Sequence, residues 1–178
     1  VTSKTVRGAA LVLGAALPVA TAVAIWVIGQ NHTPQYTTDL FGEEGTDAVT
    51  LKARLATALL GLAVIQVLLA AWMYGAGSRP VRITHRAVGW AAFLLSVPIA
   101  VHCVRTYGVE TTDTRVHLHS IAGCALYGAF VAKVLVVRSR HAPGWLLPVA
   151  GGALFVAVGL LWYSAALWVL NDYSVPGL

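Results

Sequence analysis

Apolar residues run along this chain in five long blocks separated by short polar stretches. The first covers residues 8–29, with Lys4 and Arg7 before it. The others cover residues 55–74, 84–107, 115–137 and 145–170. Each holds about 20 residues or more, and as an α-helix such a block crosses the ~30 Å hydrocarbon core of a bilayer. A secretory signal core is nearer to about 7–15 residues, so the first block is expected to persist as an uncleaved helix. Gly75-Ala76-Gly77-Ser78-Arg79-Pro80 separates the second block from the third, and Arg138-Ser139-Arg140-His141-Ala142-Pro143 the fourth from the fifth. Gly and Pro punctuate helices in this way. A short polar turn over residues 108–114 joins the third block to the fourth. Residues 30–50 form the sizeable loop, which carries Asp39, Glu43, Glu44 and Asp47. The pattern predicts an all-α integral membrane bundle of five transmembrane helices, forming one transmembrane domain over residues 1–178.

Composition agrees with the pattern. Hydrophobic residues make up 58% of the chain and charged residues 11%, against about 25% charged in a soluble domain. So few ionic groups cannot cover a water-soluble surface, so the main solvent is lipid. The formal net charge is +5, but the basic residues sit at block ends, which assigns them to topology rather than to nucleic acid. Lys4, Arg7, Arg79, Arg82, Arg86, Arg138 and Arg140 fall on one side. Lys52, Arg54, Arg105 and Arg115 fall on the other, with nearly all the acids. Positive residues favour the cytoplasm, so the N-terminus is expected inside and the C-terminus outside, in a bacterial plasma membrane crossed several times. Trp26, Trp72, Tyr74, Trp90, Tyr107, Trp145, Trp168 and Tyr173 lie near block ends, where aromatic anchors belong.

No phosphate-binding loop, dinucleotide fingerprint or zinc-protease motif is present. Cys103 and Cys124 fit no metal or disulfide spacing and read as small packing residues. Ionisable residues inside membrane helices are the functional candidates by default, and here those are histidines. His32 falls in the loop and His141 in a turn, where both are expected to be solvated. His102 lies about five residues before the end of the third block, and His119 about five inside the start of the fourth. At 1.5 Å per residue both sit roughly 7 Å below the outer surface. Antiparallel neighbours joined by a short turn would let the two imidazoles face one space, as a bis-His haem b requires, since neutral imidazole ligates iron well. Gly123, one turn beyond His119, would let a porphyrin lie against the helix. Arg105 and Arg115 flank the pair where haem carboxylates would point. His117 is about 200° round the helix from His119 and cannot share its iron; with the helix start unwound, His102, His117 and His119 would form a three-His metal site. His85, with Gly89 one turn on, would hold a second, inner haem only with another ligand, for which His141 and Met73 are the candidates.

Two local sequences resemble those of cytochrome b561-type electron-transfer proteins, and the whole chain resembles a small bacterial membrane family near the cytochrome b561 and ferric-reductase-like transmembrane haem proteins. Thr84-His85-Arg86-Ala87-Val88-Gly89-Trp90 is similar to the helix opening His-Arg-x-x-Gly, and Leu118-His119-Ser120-Ile121-Ala122-Gly123 to a His-Ser-x-x-Gly helix whose histidine ligates haem. The resemblance covers the third and fourth blocks and implies a haem-b protein. It departs from the two-haem pattern because blocks one, two and five contain no histidine.

The expected function is that of a membrane-embedded b-type cytochrome. It would be the electron-transfer subunit of an oxidoreductase rather than a self-contained enzyme. Electrons would pass between a quinol or another membrane partner and a redox protein on the outer side. The alternatives are a haem-free structural or assembly subunit of a larger membrane complex, and a small transporter. The block interiors lack the carboxylates a transporter relay would use, and Lys133 lies near enough to its helix end to snorkel.

Overall fold

The computed structural model describes residues 2–76, 78–139 and 142–177, with side chains described from residue 16 onward except Ala76. Arg140, His141 and the side chains of Lys4 and Arg7 lie outside these, and with them the His141 candidate.

Five helices account for the blocks. They are α1 (Thr2–Gln30), α2 (Gly45–Ala76), α3 (Arg79–Tyr107), α4 (Thr114–Arg138) and α5 (Leu146–Leu170). The last contains a π-helical segment, Trp162–Leu167. The helices α2 to α5 are each long and apolar enough to cross a membrane, so the chain is a multi-pass membrane protein. In α1 the described apolar stretch is Ala16–Gln30.

The second helix starts some three turns before the expected residue 55. Asp47, Lys52 and Arg54 ended the apolar block, but a charged residue outside the hydrocarbon costs a helix little. The 32 residues of α2 make a rod of about 48 Å, longer than the ~30 Å bilayer core. The loop shrinks accordingly to residues 31–44. Local chemistry sets the other ends. Pro80 occupies the first turn of α3, where a missing N–H costs nothing. Asp113 caps α4 by accepting a hydrogen bond from Val116 N at 2.8 Å.

In the bundle, α1 packs on α4, α4 on α5, α5 on α2 and α2 on α3. Small residues set these distances. A Cβ at Gly128 would stand 2.7 Å from the carbonyl oxygen of Pro18, so only glycine lets α4 lie this close to α1. The pair expected to be close neighbours, α3 and α4, is instead held apart backbone to backbone. Large side chains bridge it at mid-height. Phe93 stacks on Phe130 with centroids 4.1 Å apart, and the Tyr127 hydroxyl donates to the carbonyl of Ser96 at 3.1 Å. On the side of that bridge nearer the 31–44 loop, Leu59, Leu126, Ala157 and Val158 form the buried core.

At one end, here the loop end, residues 31–44, the 108–113 turn and the tail after α5 gather. The loop is docked rather than free. Gln35 N donates to the carbonyl of Arg105 at 3.0 Å, as does His32 Nε2 at 3.0 Å, and Leu40 is buried. His32 is therefore tied to α3 and not simply solvated. The opposite, basic end carries Arg79, Arg82, Arg86 and Arg138.

Candidate functional site

Because α3 and α4 stand apart above the Phe93–Phe130 bridge, a cavity of about 540 Å³ opens between α2, α3, α4 and α5. That size falls within the ~300–1,000 Å³ of small-molecule sites. Its rim carries Lys52, Tyr107, Arg115 and Trp168, and its deep end Leu59, Ser96, Tyr127 and Val158. Along each helix the step from rim to deep end is about 10–18 Å at 1.5 Å per residue. Most of the wall is apolar, so the polar groups on it stand out.

His119 is the histidine of this wall. Its Nδ1 lies 3.1 Å from the Ser164 hydroxyl, and that hydroxyl donates to the carbonyl of Leu160 at 2.6 Å. With its own hydrogen committed, Ser164 Oγ accepts from Nδ1–H. In the neutral imidazole the lone pair then lies on Nε2, which has no hydrogen-bond partner among the described residues. A partner on one ring nitrogen that fixes tautomer and orientation is the usual support of a ligating histidine.

The π-helical segment explains why Ser164 can do this. Its i→i+5 pattern replaces the regular ladder of an α-helix, and such segments recur at functional sites. Ser164 has no exposed surface, and both of its oxygens are used. Its carbonyl accepts from Arg115 Nη1 at 3.0 Å. The Arg115 guanidinium also lies over the Trp168 ring, 4.0 Å from its centroid. On the other side of the rim Lys52 Nζ stands 4.5 Å from the Tyr107 centroid. Both rim cations therefore lie against aromatic faces, and neither has a carboxylate partner among the described residues. The tail completes the rim. Asp172 and Tyr173 adopt φ of 49° and 60°, a sparsely populated conformation for side-chain-bearing residues, and Tyr173 packs edge-on to Trp168.

The remaining candidates from the sequence go elsewhere. His102 is buried, at 4% exposure, but is turned toward the loop. Its Nε2–H donates to the carbonyl of Thr38 at 3.0 Å, and its Nδ1 accepts from the Thr106 hydroxyl at 3.2 Å. Both ring nitrogens are engaged and the side chain is not part of the cavity wall, so His102 and His119 do not share one space here. The separation of α3 from α4 is the cause, since a short turn fixes sequence adjacency but not the rotation of each helix. His117 is exposed against the Trp26 ring, and no group of three metal-ligating side chains occurs among the described residues. Arg105 is exposed and serves through its carbonyl. Gly123 does line the cavity, and a Cβ there would meet only Leu161, at an ordinary 3.8 Å. His85 lies at the basic end beside Gln66, whose amide donates to its carbonyl at 2.6 Å.

The family model for DUF6529, a family of unknown function, matches residues 10–177. The chain belongs to this family. No curated protein and no solved structure matches it.

In this DUF6529 chain the sequence reading missed Ser164, Lys52, Trp162 and Trp168 as members of the site. Ser164 carried a weak signal, a hydroxyl inside an apolar block, which membrane helices commonly tolerate. Lys52 reads from the sequence as a charge flanking the second block, Trp168 as an interfacial anchor, and Trp162 as one more apolar residue of the fifth block. Spacing marks none of them as sharing a space with His119, whereas the structure sets all three on the cavity wall.

Proposed function

We propose that this chain is a membrane-embedded electron-transfer subunit whose loop-end cavity would take haem b, with His119 as the residue that would hold it through Nε2. The observation that carries this reading is the fixed imidazole, bonded through Nδ1 to Ser164 and with Nε2 free on a cavity of about 540 Å³. Arg115 and Lys52 are placed at the rim to meet the carboxylates, and Gly123 leaves the wall beside His119 open. When bound, the haem supplies one-electron cycling of iron. The chain's own residues orient the imidazole, surround the group with apolar wall and neutralise its charged edge. The fit extends to one protein ligand, because His102 would have to give up both of its hydrogen bonds to become a second.

The basic end is the cytoplasmic end in this reading, by the excess of Lys and Arg. The loop end then faces outward toward a redox protein, with a quinol in the membrane as the other reactant. A second reading is favoured by the engagement of His102. Here the chain is a haem-free subunit of a larger complex, and the same cavity takes a quinol ring whose hydroxyl donates to His119 Nε2.

Oxidised and dithionite-reduced visible spectra of the detergent-purified protein, with a pyridine haemochrome titration, separate the two. About one haem per chain, lost in His119→Ala and kept in His102→Ala, supports the first reading. No haem in protein expressed with haem supplied removes it. A quinone analogue that then quenches Trp162 and Trp168 fluorescence, and fails to do so in His119→Ala, supports the second.

A further inference from the structure

Away from the cavity, near the basic end, two polar atoms are buried without a partner. They are Gln66 Oε1 and His85 Nδ1. Leaving one such atom unpaired costs about 1–3 kcal/mol, and inside a membrane no bulk water is at hand to relieve it. Two on adjoining side chains call for a common explanation.

Geometry fixes what each atom offers. Gln66 Nε2 donates to the His85 carbonyl at 2.6 Å. Flipping that amide would set oxygen against oxygen, so Oε1 is the acceptor that remains. The amide lies against Gly89, one turn beyond His85, where a Cβ would meet it at 3.4 Å. One hydrogen of Gln66 Nε2 is used on that carbonyl, and the other makes no bond to the ring nitrogen, which has no partner. What is missing is a small group that donates to Gln66 Oε1 and bonds to His85 Nδ1.

The surrounding charge narrows the identity of that group. Lys133 of α4 is the charged side chain whose field reaches the His85 imidazole. Every acidic residue of the chain lies in the loop, the turn or the tail at the other end or in the first turn of α2. A metal or alkali cation would meet Lys133 with no carboxylate to balance it, and an anion would meet Gln66 Oε1. A neutral water suits both atoms, since it carries two donors.

We infer that Gln66 Oε1 and His85 Nδ1 share one bound water molecule, which donates to both and joins α2 to α3 near the basic end. His85 is then neutral with its proton on Nε2, and its Nδ1 is occupied. A ligand approaching Nδ1 must displace that water, which separates His85 from any inner haem. The inference does not depend on the cavity or on what it binds.

The test is nuclear magnetic resonance of histidine-¹⁵N-labelled protein in nanodiscs, reading the His85 tautomer and its contact with water. The expected result is a proton on Nε2, an Nδ1 that accepts a hydrogen bond, and a water cross-peak that disappears in Gln66→Met but persists in Lys133→Met. A proton on Nδ1, or no water cross-peak in the wild type, overturns it. So does loss of the signal in Lys133→Met, which would identify the ammonium as the missing donor. Should Gln66→Met fail to fold, a high-resolution density map of the wild type decides by the presence or absence of a water within hydrogen-bond distance of both atoms.

Discussion

The two sides of the loop end treat a buried histidine in opposite ways. On the α3 side, His102 has both ring nitrogens bonded, one to the loop at Thr38 and one to Thr106. On the α4–α5 side, His119 has one nitrogen bonded to Ser164 and the other free on a cavity. Both stand about five residues from the loop end of their helix, and the residue type is the same. The difference lies in the neighbour. A loop carbonyl closes the site on α3, whereas the π-helical segment of α5 supplies support from one side only. A satisfied imidazole holds structure together, and a half-satisfied one retains a lone pair for a ligand.

That contrast breaks most sharply at His119. Replacing it with Ala removes the free lone pair and is expected to lower retention of the bound group at least about 100-fold, the upper range for losing an orienting or ligating contact. Absorbance per chain at the Soret band reads this directly, or quinone-analogue binding if no haem is present. Ser164→Ala keeps the imidazole but releases Nδ1, and a loss of about 10-fold is expected. Ser164→Thr, which keeps the hydroxyl, should restore part of it. The same binding measurement checks both, and equal losses in the two variants would remove Ser164 from the account.

His102→Ala should do the reverse. It leaves the bound group in place and destabilises the fold by about 1–3 kcal/mol, because the Thr38 carbonyl and the Thr106 hydroxyl lose their partner in a buried place. Thermal unfolding in detergent, followed by circular dichroism, measures this. If His102→Ala instead empties the cavity at unchanged stability, the two histidines act together and the contrast fails. The smallest effect belongs to Arg115→Gln. It removes the guanidinium from the Trp168 face, a contact worth about 0.5–1 kcal/mol at a partly exposed site. The expected outcome is a few-fold weaker retention of an anionic ligand, abolished by high salt.

Legibility in the sequence followed the range of the interaction. Apolar block length identified the membrane helices, because the bilayer imposes that length locally. Their ends were less legible. α2 begins at Gly45 and includes Asp47, Lys52 and Arg54, so charge did not mark its start. Within the candidate site, His119, Gly123 and Arg115 were legible as polar or small residues near the loop end of an apolar block. Ser164 was not, since it is 45 positions from His119 and its presentation depends on the π-helical register of α5. The distinction between His102 and His119 was equally hidden, because both satisfy the same depth rule.

By itself the sequence determined the solvent of this protein, its all-helical class and the short list of polar side chains that lie among apolar ones. These follow from hydropathy and helix pitch, which act over one or two turns. Only the tertiary structure decided which of those side chains share a space. Gly128 lets α4 approach α1, the aromatic bridge of Phe93, Tyr127 and Phe130 holds α3 from α4, and the gap so made becomes the cavity. Each residue turns a helix by about 100°, so a small change in packing changes which face meets the gap. Contacts between distant segments set that rotation, and with it which imidazole is left with a free nitrogen.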